Sequence, residues 1–371
     1  MHQIDRQTNK KTTQTDHASR PKKTTKAEAN THRSIRWAVV EARSFTITRM
    51  TDAALSGIFV PTLVPLRSDA VDESRLNNAA PLHEKELHEE EVSRHIAWLL
   101  DRGVAGVYPN GSTGEFLRLD DATQDRITEL SVAACGDRGH VLGGAAGATV
   151  PIALKRCEAA ARRGCRAAAV VAPFYYQLAD DAVEAFYREL AARSSIDLLL
   201  YNIPIFASAI SVDVVTRLAL DCPRIIGIKD SSGDLAHMQR MLTAIRPQRP
   251  DFAFLTGWDN VLASMIGIGC DGGTHAAANV VPEVLVQIRE SVLDGDWQTA
   301  RYLQAPLATL FDAMIGCGTF PDGFRIGATA RGFDFQNGLL PRSEAETSKR
   351  QELSSQMPGL LKPFEHVLHA D

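Results

Sequence analysis

The stretch Ile225-Ile226-Gly227-Ile228-Lys229-Asp230-Ser231-Ser232 carries one lysine at the end of an otherwise apolar run. A short apolar run followed by polar residues predicts a buried β-strand that ends near Lys229. An apolar setting disfavours the ammonium form, and a neutral amine can attack a carbonyl carbon to form a Schiff base. A lysine that closes a buried strand can also extend its charged end into water and have no chemical role. The rest of the chain has to decide between these two interpretations.

Short apolar runs of the same kind recur along the chain, and amphipathic segments of helical length separate them. Eight such strand-helix units predict a TIM barrel, an α/β fold whose active groups lie at the C-terminal ends of the strands. A doubly wound open sheet is disfavoured because no Gly-x-Gly-x-x-Gly motif opens a helix after an early strand. The predicted strands are 57–65, 104–109, 141–145, 167–172, 198–201, 225–228, 252–255 and 272–278, and the helices between them include 89–102, 121–134, 151–163, 180–193, 212–220 and 235–245.

Three segments differ in composition. Residues 1–50 are basic, polar and poor in apolar side chains, so we expect a disordered tail, and Met50 is a candidate translation start. Residues 51–281 are predicted to form the barrel. Residues 282–371 contain further helical patterns and are expected to form a C-terminal helical appendage. Residues 66–87 are long for a connection, which indicates a lid or a surface insertion.

The bulk composition narrows the classes of partner. The chain has 371 residues, 44% of them hydrophobic, and a formal net charge of -5, which favours neither a nucleic acid nor a membrane partner. No apolar run approaches the roughly 20 residues that span a bilayer. The six cysteines are scattered without a Cys-x-x-Cys pair, so we expect reduced thiols in the cytoplasm, with no metal site and no cofactor.

The loop Gly111-Ser112-Thr113-Gly114-Glu115 follows the second predicted strand. Its backbone N–H groups can converge on an anion before the next helix begins. The loop lacks the lysine that ends a P-loop, which favours a carboxylate over a triphosphate as its ligand. An ordinary Gly/Ser turn is the alternative interpretation.

The fifth predicted strand ends in Tyr201-Asn202-Ile203-Pro204. Strand alternation places Tyr201 in phase with Leu199, and it places Lys229 in phase with Gly227 and Ile225 on the next strand. Two neighbouring strands then present a phenol and an amine at one rim, with Gly227 leaving room for the lysine stem. Tyr201 is a candidate proton shuttle, and a buried core tyrosine is the alternative.

These motifs, with Pro173-Phe174-Tyr175-Tyr176 and Gly257-Trp258-Asp259, resemble the dihydrodipicolinate synthase and N-acetylneuraminate lyase family, in the same order along residues 55–340. The resemblance implies a class I aldolase that joins pyruvate to an aldehyde, or releases it from a larger 2-oxo acid. Both substrates are small molecules.

The resemblance also implies a role for each motif. Lys229 corresponds to the Schiff-base lysine, and Tyr201 corresponds to the proton shuttle. Ser112 matches the hydroxyl that links this tyrosine to a second one, and Thr113 helps to hold the substrate carboxylate. Tyr175 matches the second tyrosine, which in the family comes from a neighbouring subunit. A homodimer or a homotetramer is therefore expected.

Three positions bear on the far end of the substrate. Phe206 stands where true synthases carry an arginine for a second carboxylate, which favours a neutral or hydroxylated tail, as in a 2-keto-3-deoxy sugar acid. Gly257 and Asp259 are candidates for contacting substrate hydroxyls, whereas Asn260 replaces the glutamate frequent in the sialate branch. His275, at the end of the eighth strand, either contacts the tail or packs against the barrel wall.

The sequence therefore predicts a Schiff-base aldolase. One alternative is a dihydrodipicolinate synthase that uses another group in place of the arginine. An alternative of another class is a non-catalytic barrel that binds a keto acid. The joint presence of Lys229, Tyr201, Ser112 and Tyr175 argues against that last alternative, since a decayed site would have lost at least one of them.

Overall fold

Eight parallel strands form a closed barrel in the order of the sequence. The structure is a computed structural model and describes residues 55–67, 87–336 and 338–368. The predicted TIM-barrel fold is confirmed. The strands are β1 (Gly57–Val60), β2 (Gly106–Val107), β3 (His140–Gly144), β4 (Ala167–Val171), β5 (Leu198–Asn202), β6 (Ile225–Asp230), β7 (Ala253–Thr256) and β8 (Gly272–Thr274).

Helices alternate with these strands and continue beyond the last one. Gly103, with φ 78°, ends the helix after β1 in a left-handed conformation that glycine adopts readily. The helices that follow β1 to β8 in turn are α1 (Glu89–Asp101), α2 (Asp121–Cys135), α3 (Val150–Arg163), α4 (Asp180–Arg193), α5 (Val212–Asp221), α6 (Leu235–Ile245), α7 (Leu262–Gly267) and α8 (Pro282–Leu293). The C-terminal helices are α9 (Trp297–Ile315), α10 (Asp322–Ala330), α11 (Glu344–Leu361) and α12 (Glu365–Leu368).

The C-terminal helical appendage is thus confirmed, and it contains two helices, α10 and the short α12, that the sequence pattern did not reveal. Helix α10 has only nine residues, and its two glycines lower its intrinsic helix propensity. The expected tail at residues 1–50 and most of the segment 66–87 lie outside the described residues. The domain limits at residues 50 and 281 remain predictions.

Apolar side chains fill two layers of the barrel. Phe59, Leu199 and Leu255 belong to the inner layer, which the strands enclose. Leu198 and Phe254 belong to the outer layer, between the strands and the helices. Burial of each such side chain contributes about 1.5–3 kcal/mol, so both layers hold the strand ends in fixed positions.

The pairing of β5 with β6 determines which of their side chains point into the barrel at the candidate site. Leu199 pairs with Gly227 and Tyr201 pairs with Lys229, so the predicted juxtaposition of the phenol and the amine is confirmed. The register shifts one step earlier, where Leu198 pairs with Ile225. The prediction that Ile225 is in phase with Lys229 is wrong, because this irregularity places Ile225 in the outer layer.

The described helices include none that is long and apolar enough to cross a membrane. All six cysteines are free thiols. Burial raises the pKa of Cys135 to about 11 and that of Cys165 to about 12. These two thiols therefore stay protonated at neutral pH and are poor nucleophiles.

Candidate active site

Lys229 ends inside the barrel between two aromatic rings. Only 3% of the surface of Lys229 is exposed to solvent. Its Nζ lies 4.1 Å from the centroid of the Tyr201 ring and 4.8 Å from that of Tyr108. The lysine does not extend into water, so the interpretation of Lys229 as a solvated strand end does not fit its position. The two rings fix the direction of the amine and favour a nearby positive charge, as on an ammonium or an iminium.

Tyr108 is a neighbour of Lys229 that the sequence analysis missed. It directly follows β2, and its N–H donates to the carbonyl of Val60 at 2.7 Å. Its ring meets that of Tyr201 edge to face, with 6.1 Å between centroids. Burial raises the pKa of Tyr108 well above its usual value, so its hydroxyl stays protonated. Its position at the end of the second predicted strand, separated from the Gly-Ser-Thr-Gly-Glu loop only by Pro109 and Asn110, was the available signal.

The Gly-Ser-Thr-Gly-Glu loop lies beside the same two rings. Ser112 Oγ lies 3.3 Å from the hydroxyl of Tyr201, within hydrogen-bonding distance. Thr113 is buried and contributes to the wall of the same cavity as Lys229. Ser112, Thr113, Tyr201 and Lys229 are therefore brought together, as the sequence predicted.

Glu115 holds this loop to the C-terminal helices. Its backbone is left-handed, with φ 54°, and its carboxylate accepts hydrogen bonds from Arg118 and from the fully buried Arg325 of α10. Arg325 also donates to the carbonyl of Val64 at 2.7 Å. A buried carboxylate needs such partners because its desolvation is costly. Arg325 was not identified from the sequence, because α10 was itself missed.

A cavity of about 250 Å³ opens above Lys229 at the C-terminal ends of the strands. Ligand pockets usually measure roughly 300–1,000 Å³, so this cavity suits a small substrate. It is lined by Pro61, Ser112, Thr113, Tyr201, Ile203, Ile205, Phe206, Lys229, Ser231, Gly257, Trp258, Asp259, Thr274, Ala276, Phe311, Ile315, Phe320 and Phe324.

The space beside the lysine stem comes from Gly257 and not from Gly227. A Cβ atom at Gly257 would overlap Ser231 Oγ and lie 3.0 Å from Lys229 Cε. A Cβ atom at Gly227 would instead meet the carbonyl oxygen of Ala253 at 2.6 Å, on the neighbouring strand. The predicted role of Gly227 is therefore corrected, because its missing side chain allows close strand packing.

Two predicted residues do not line the cavity. Tyr175 is 85% exposed and has a left-handed backbone with φ 72°, and its ring meets that of Tyr176 with 4.8 Å between centroids. His275 is fully buried, with Nδ1 3.4 Å from Oδ2 of Asp259. Its ring lies against Gly273 in the outer layer, so His275 matches the alternative of a histidine packed against the barrel wall.

Asp259 lines the cavity, but its carboxylate already has contacts. Oδ1 accepts the N–H of Ala277 at 2.8 Å, and Oδ2 faces His275. Asn260 donates to Asp312 at 2.8 Å. The carboxylate of Asp259 therefore holds the turn after β8. Within the described ranges, no group of three or more His, Cys, Asp or Glu residues is arranged to hold a metal ion.

Comparisons with known proteins agree with this arrangement. Residues 78–358 match the model of the dihydrodipicolinate synthetase family. A probable 2-dehydro-3-deoxy-D-pentonate aldolase of Escherichia coli is 30% identical over 60% of this chain and 74% of its own length. A 4-hydroxy-tetrahydrodipicolinate synthase of Methanospirillum hungatei is 31% identical over 63% of this chain and 79% of its own.

Solved structures show the same fold. A prophage protein of Escherichia coli K12, which belongs to the dihydrodipicolinic acid synthase family and was solved in complex with pyruvate, superposes with a TM-score of 0.74. It is 23% identical, and the match covers 83% of this chain and 99% of that protein.

Proposed function

The chain belongs to the dihydrodipicolinate synthetase family and is a lyase of the aldolase type, and from this premise we propose that Lys229 forms a Schiff base with pyruvate or another 2-oxo acid. The observation that carries the proposal is the burial of the Lys229 amine against Tyr108 and Tyr201 at the floor of the cavity. An amine held in this way is oriented for attack on a ketone carbon.

The reaction begins when the amine adds to the keto carbon and water leaves, which produces an iminium. The iminium withdraws electrons from the adjacent carbon, so a carbon–carbon bond there can break or form. Ser112 and Thr113, in the loop beside the amine, are proposed to hold the substrate carboxylate. Tyr201, hydrogen-bonded to Ser112, moves the proton to or from the oxygen of the aldehyde or hydroxyl.

Tyr175 is proposed to complete a site in a neighbouring subunit. Its exposed side chain and left-handed backbone support this assignment, because a bulky residue rarely adopts that backbone conformation without a function. The protein is accordingly proposed to be a homodimer or a homotetramer that acts on small molecules in the cytoplasm, without a nucleic acid or membrane partner.

Two alternatives remain distinct from this proposal. A 4-hydroxy-tetrahydrodipicolinate synthase is named among the relatives. The family resemblance, however, places Phe206 where such synthases carry an arginine for a second carboxylate. A non-catalytic barrel that binds a keto acid would need no neighbouring proton shuttle, and the contact between Ser112 and Tyr201 argues for catalysis.

Exchange of the pyruvate methyl protons in D₂O tests the proposal without knowledge of the aldehyde. An iminium on Lys229 loses a proton to form an enamine, and reprotonation then introduces deuterium, which NMR detects. The protein should catalyse this exchange, and Lys229→Met should abolish it. Lys155→Met is the matched control, because Lys155 is a surface residue of α3 paired with Asp121. Failure of the folded wild-type protein to exchange would favour the binding barrel.

A further inference from the structure

Five aromatic side chains in series form one side of the cavity, which we call the aromatic wall. Phe206 meets Phe320 with 6.3 Å between ring centroids, and Phe320 meets Phe324 at 5.7 Å. Phe324 meets Phe311 at 5.9 Å, and Phe311 meets Trp258 at 5.4 Å. The rings thus connect the turn after β5 to the turn after β7. All five residues line the cavity.

The aromatic wall is fixed by the C-terminal helices. Phe311 lies on α9 and Phe324 on α10, and both are buried. Phe320 precedes α10, and Phe206, 52% exposed, lies at the cavity mouth. The rings pack edge to face or tilted, which is a favourable geometry for aromatic pairs. The wall is therefore preformed; Phe206 is its most exposed member, and Trp258 and Phe320 are half-buried.

The aromatic wall offers the far end of a substrate no charged group and, apart from the indole N–H of Trp258, no hydrogen-bonding side-chain group. Among the described residues that line the rest of the cavity, Lys229 carries an amine, Asp259 a carboxylate, and Ser112, Thr113, Tyr201, Ser231 and Thr274 carry hydroxyls. The carboxylate of Asp259 is already bonded to Ala277, and the Schiff base would consume the amine of Lys229. A second carboxylate would find no guanidinium here. Where the tail lies on the aromatic wall, a chain of hydroxyls would lose water without equivalent hydrogen bonds, which is unfavourable.

We propose that the aldehyde handled by this site carries an apolar tail, aromatic or branched aliphatic, which packs on the aromatic wall. The inference rests on the proposed Schiff-base function. It narrows the sequence expectation, which allowed a neutral or a hydroxylated tail, to the neutral one. The small cavity limits the tail to about the size of a phenyl or isopropyl group beside a three-carbon 2-oxo acid.

The condensation balances without a further reactant. The Lys229 amine and the pyruvate ketone form an iminium and release water, and loss of a methyl proton gives the enamine. The enamine carbon bonds to the aldehyde carbon, and the aldehyde oxygen takes up a proton to become a hydroxyl. Water then hydrolyses the new iminium, which restores the amine and releases a 4-hydroxy-2-oxo acid.

A comparison of four aldehydes as substrates tests the inference. The protein is incubated with pyruvate and either benzaldehyde, isobutyraldehyde, glyceraldehyde or aspartate semialdehyde, and the 4-hydroxy-2-oxo acid or its cyclised product is quantified by mass spectrometry. We expect kcat/KM for the two apolar aldehydes to exceed that for glyceraldehyde by roughly tenfold or more, the scale of discrimination that apolar pockets reach. Aspartate semialdehyde should be the poorest substrate.

Two variants connect this preference to the wall. Phe206→Arg places a cation at the exposed end, so it should lower kcat/KM for benzaldehyde by roughly tenfold and raise it for aspartate semialdehyde. Tyr302→Ala is the control, because Tyr302 is an exposed residue of α9 whose ring contacts His366 and which does not line the cavity. The control should keep the wild-type preference.

Borohydride trapping of pyruvate in the same samples separates the two proposals. Without a trapped adduct on Lys229, the Schiff-base function itself fails. An adduct accompanied by a preference for glyceraldehyde or aspartate semialdehyde, or by no condensation with any of the four aldehydes, overturns the apolar-tail inference and leaves the Schiff-base proposal standing. If Phe206→Arg kept the wild-type preference among the aldehydes, Phe206 would not contact the tail. The assignment of Phe206 to the part of the wall that binds the tail would then be overturned.

Discussion

The hydroxyl groups of Ser112 and Tyr201 lie 3.3 Å apart, although 89 positions of sequence separate them. Ser112 is in the loop after β2, and Tyr201 lies in β5. The barrel brings both to one rim because all its strands run in the same direction. This contact gives the phenol a partner for proton transfer.

Removal of the Tyr201 hydroxyl should separate bond formation from Schiff-base formation. Tyr201→Phe keeps the ring beside Lys229 but cannot move a proton, so kcat for condensation should fall by roughly 10²–10⁴-fold. Borohydride trapping of pyruvate should continue, since the amine keeps its aromatic neighbour. Ser112→Ala should act in the same direction with a smaller loss. Equal loss of trapping and condensation in Tyr201→Phe would contradict the proton-shuttle role.

A methyl group at Gly257 should displace the reactive lysine. Gly257→Ala puts a Cβ atom 3.0 Å from Lys229 Cε, so we expect the rate of pyruvate trapping to fall by roughly 10²-fold, the effect of a misplacement of about 1 Å. Gly359→Ala is the matched control because a Cβ atom there meets no atom within 4 Å. Trapping rates measured by peptide mass spectrometry compare the two variants. Similar rates would show that Gly257 has no part in positioning Lys229.

The buried pair of Arg325 and Glu115 should stabilise both the fold and the loop beside the lysine. Arg325→Leu leaves the Glu115 carboxylate buried with one partner fewer, and the free energy of unfolding should decrease by roughly 3–5 kcal/mol. Arg325→Leu combined with Glu115→Gln should lose less than the sum of the single changes. Urea unfolding of the four proteins measures this coupling. Strict additivity would mean that the pair does not act as a unit.

Acid should destabilise the protein through His95, which is buried on α1. Burial lowers the pKa of His95 to about 4, and its Nε2 lies 3.2 Å from the carbonyl oxygen of Asn279. In the unfolded chain, the imidazole of His95 takes up a proton near pH 6.5. The stabilisation that comes from keeping His95 neutral is therefore fully present above that pH, and it is lost as the pH falls toward 4. The difference in pKa corresponds to roughly 3 kcal/mol.

Urea unfolding between pH 7 and pH 4.5 tests this dependence. His95→Gln keeps a donor for Asn279 and does not titrate, so its stability should change less than that of the wild type over this range. Parallel pH profiles for the two proteins would contradict the assignment to His95.

The sequence predicted the barrel and most of the site because those features depend on local patterns. Periodicity identified the strands and helices, and the order of motifs brought Ser112, Thr113, Tyr201 and Lys229 to one rim. The misses depend on packing between distant segments. The register shift near Ile225 has no local signal, and the partner of Glu115 lies 210 positions away on a short helix that contains two glycines. Phe311, Phe320 and Phe324 belong to no motif of the sequence, and only the fold places them along the cavity.

Peptide-level localisation of a trapped pyruvate adduct tests the central claim most directly. The protein is incubated with pyruvate, reduced with borohydride, digested and analysed by mass spectrometry. A single reduced adduct on Lys229, absent from Lys229→Met and retained in Lys155→Met, is the result that we predict. Folded protein that gives no adduct on Lys229, or gives one on another lysine, would contradict the claim that Lys229 is the Schiff-base residue.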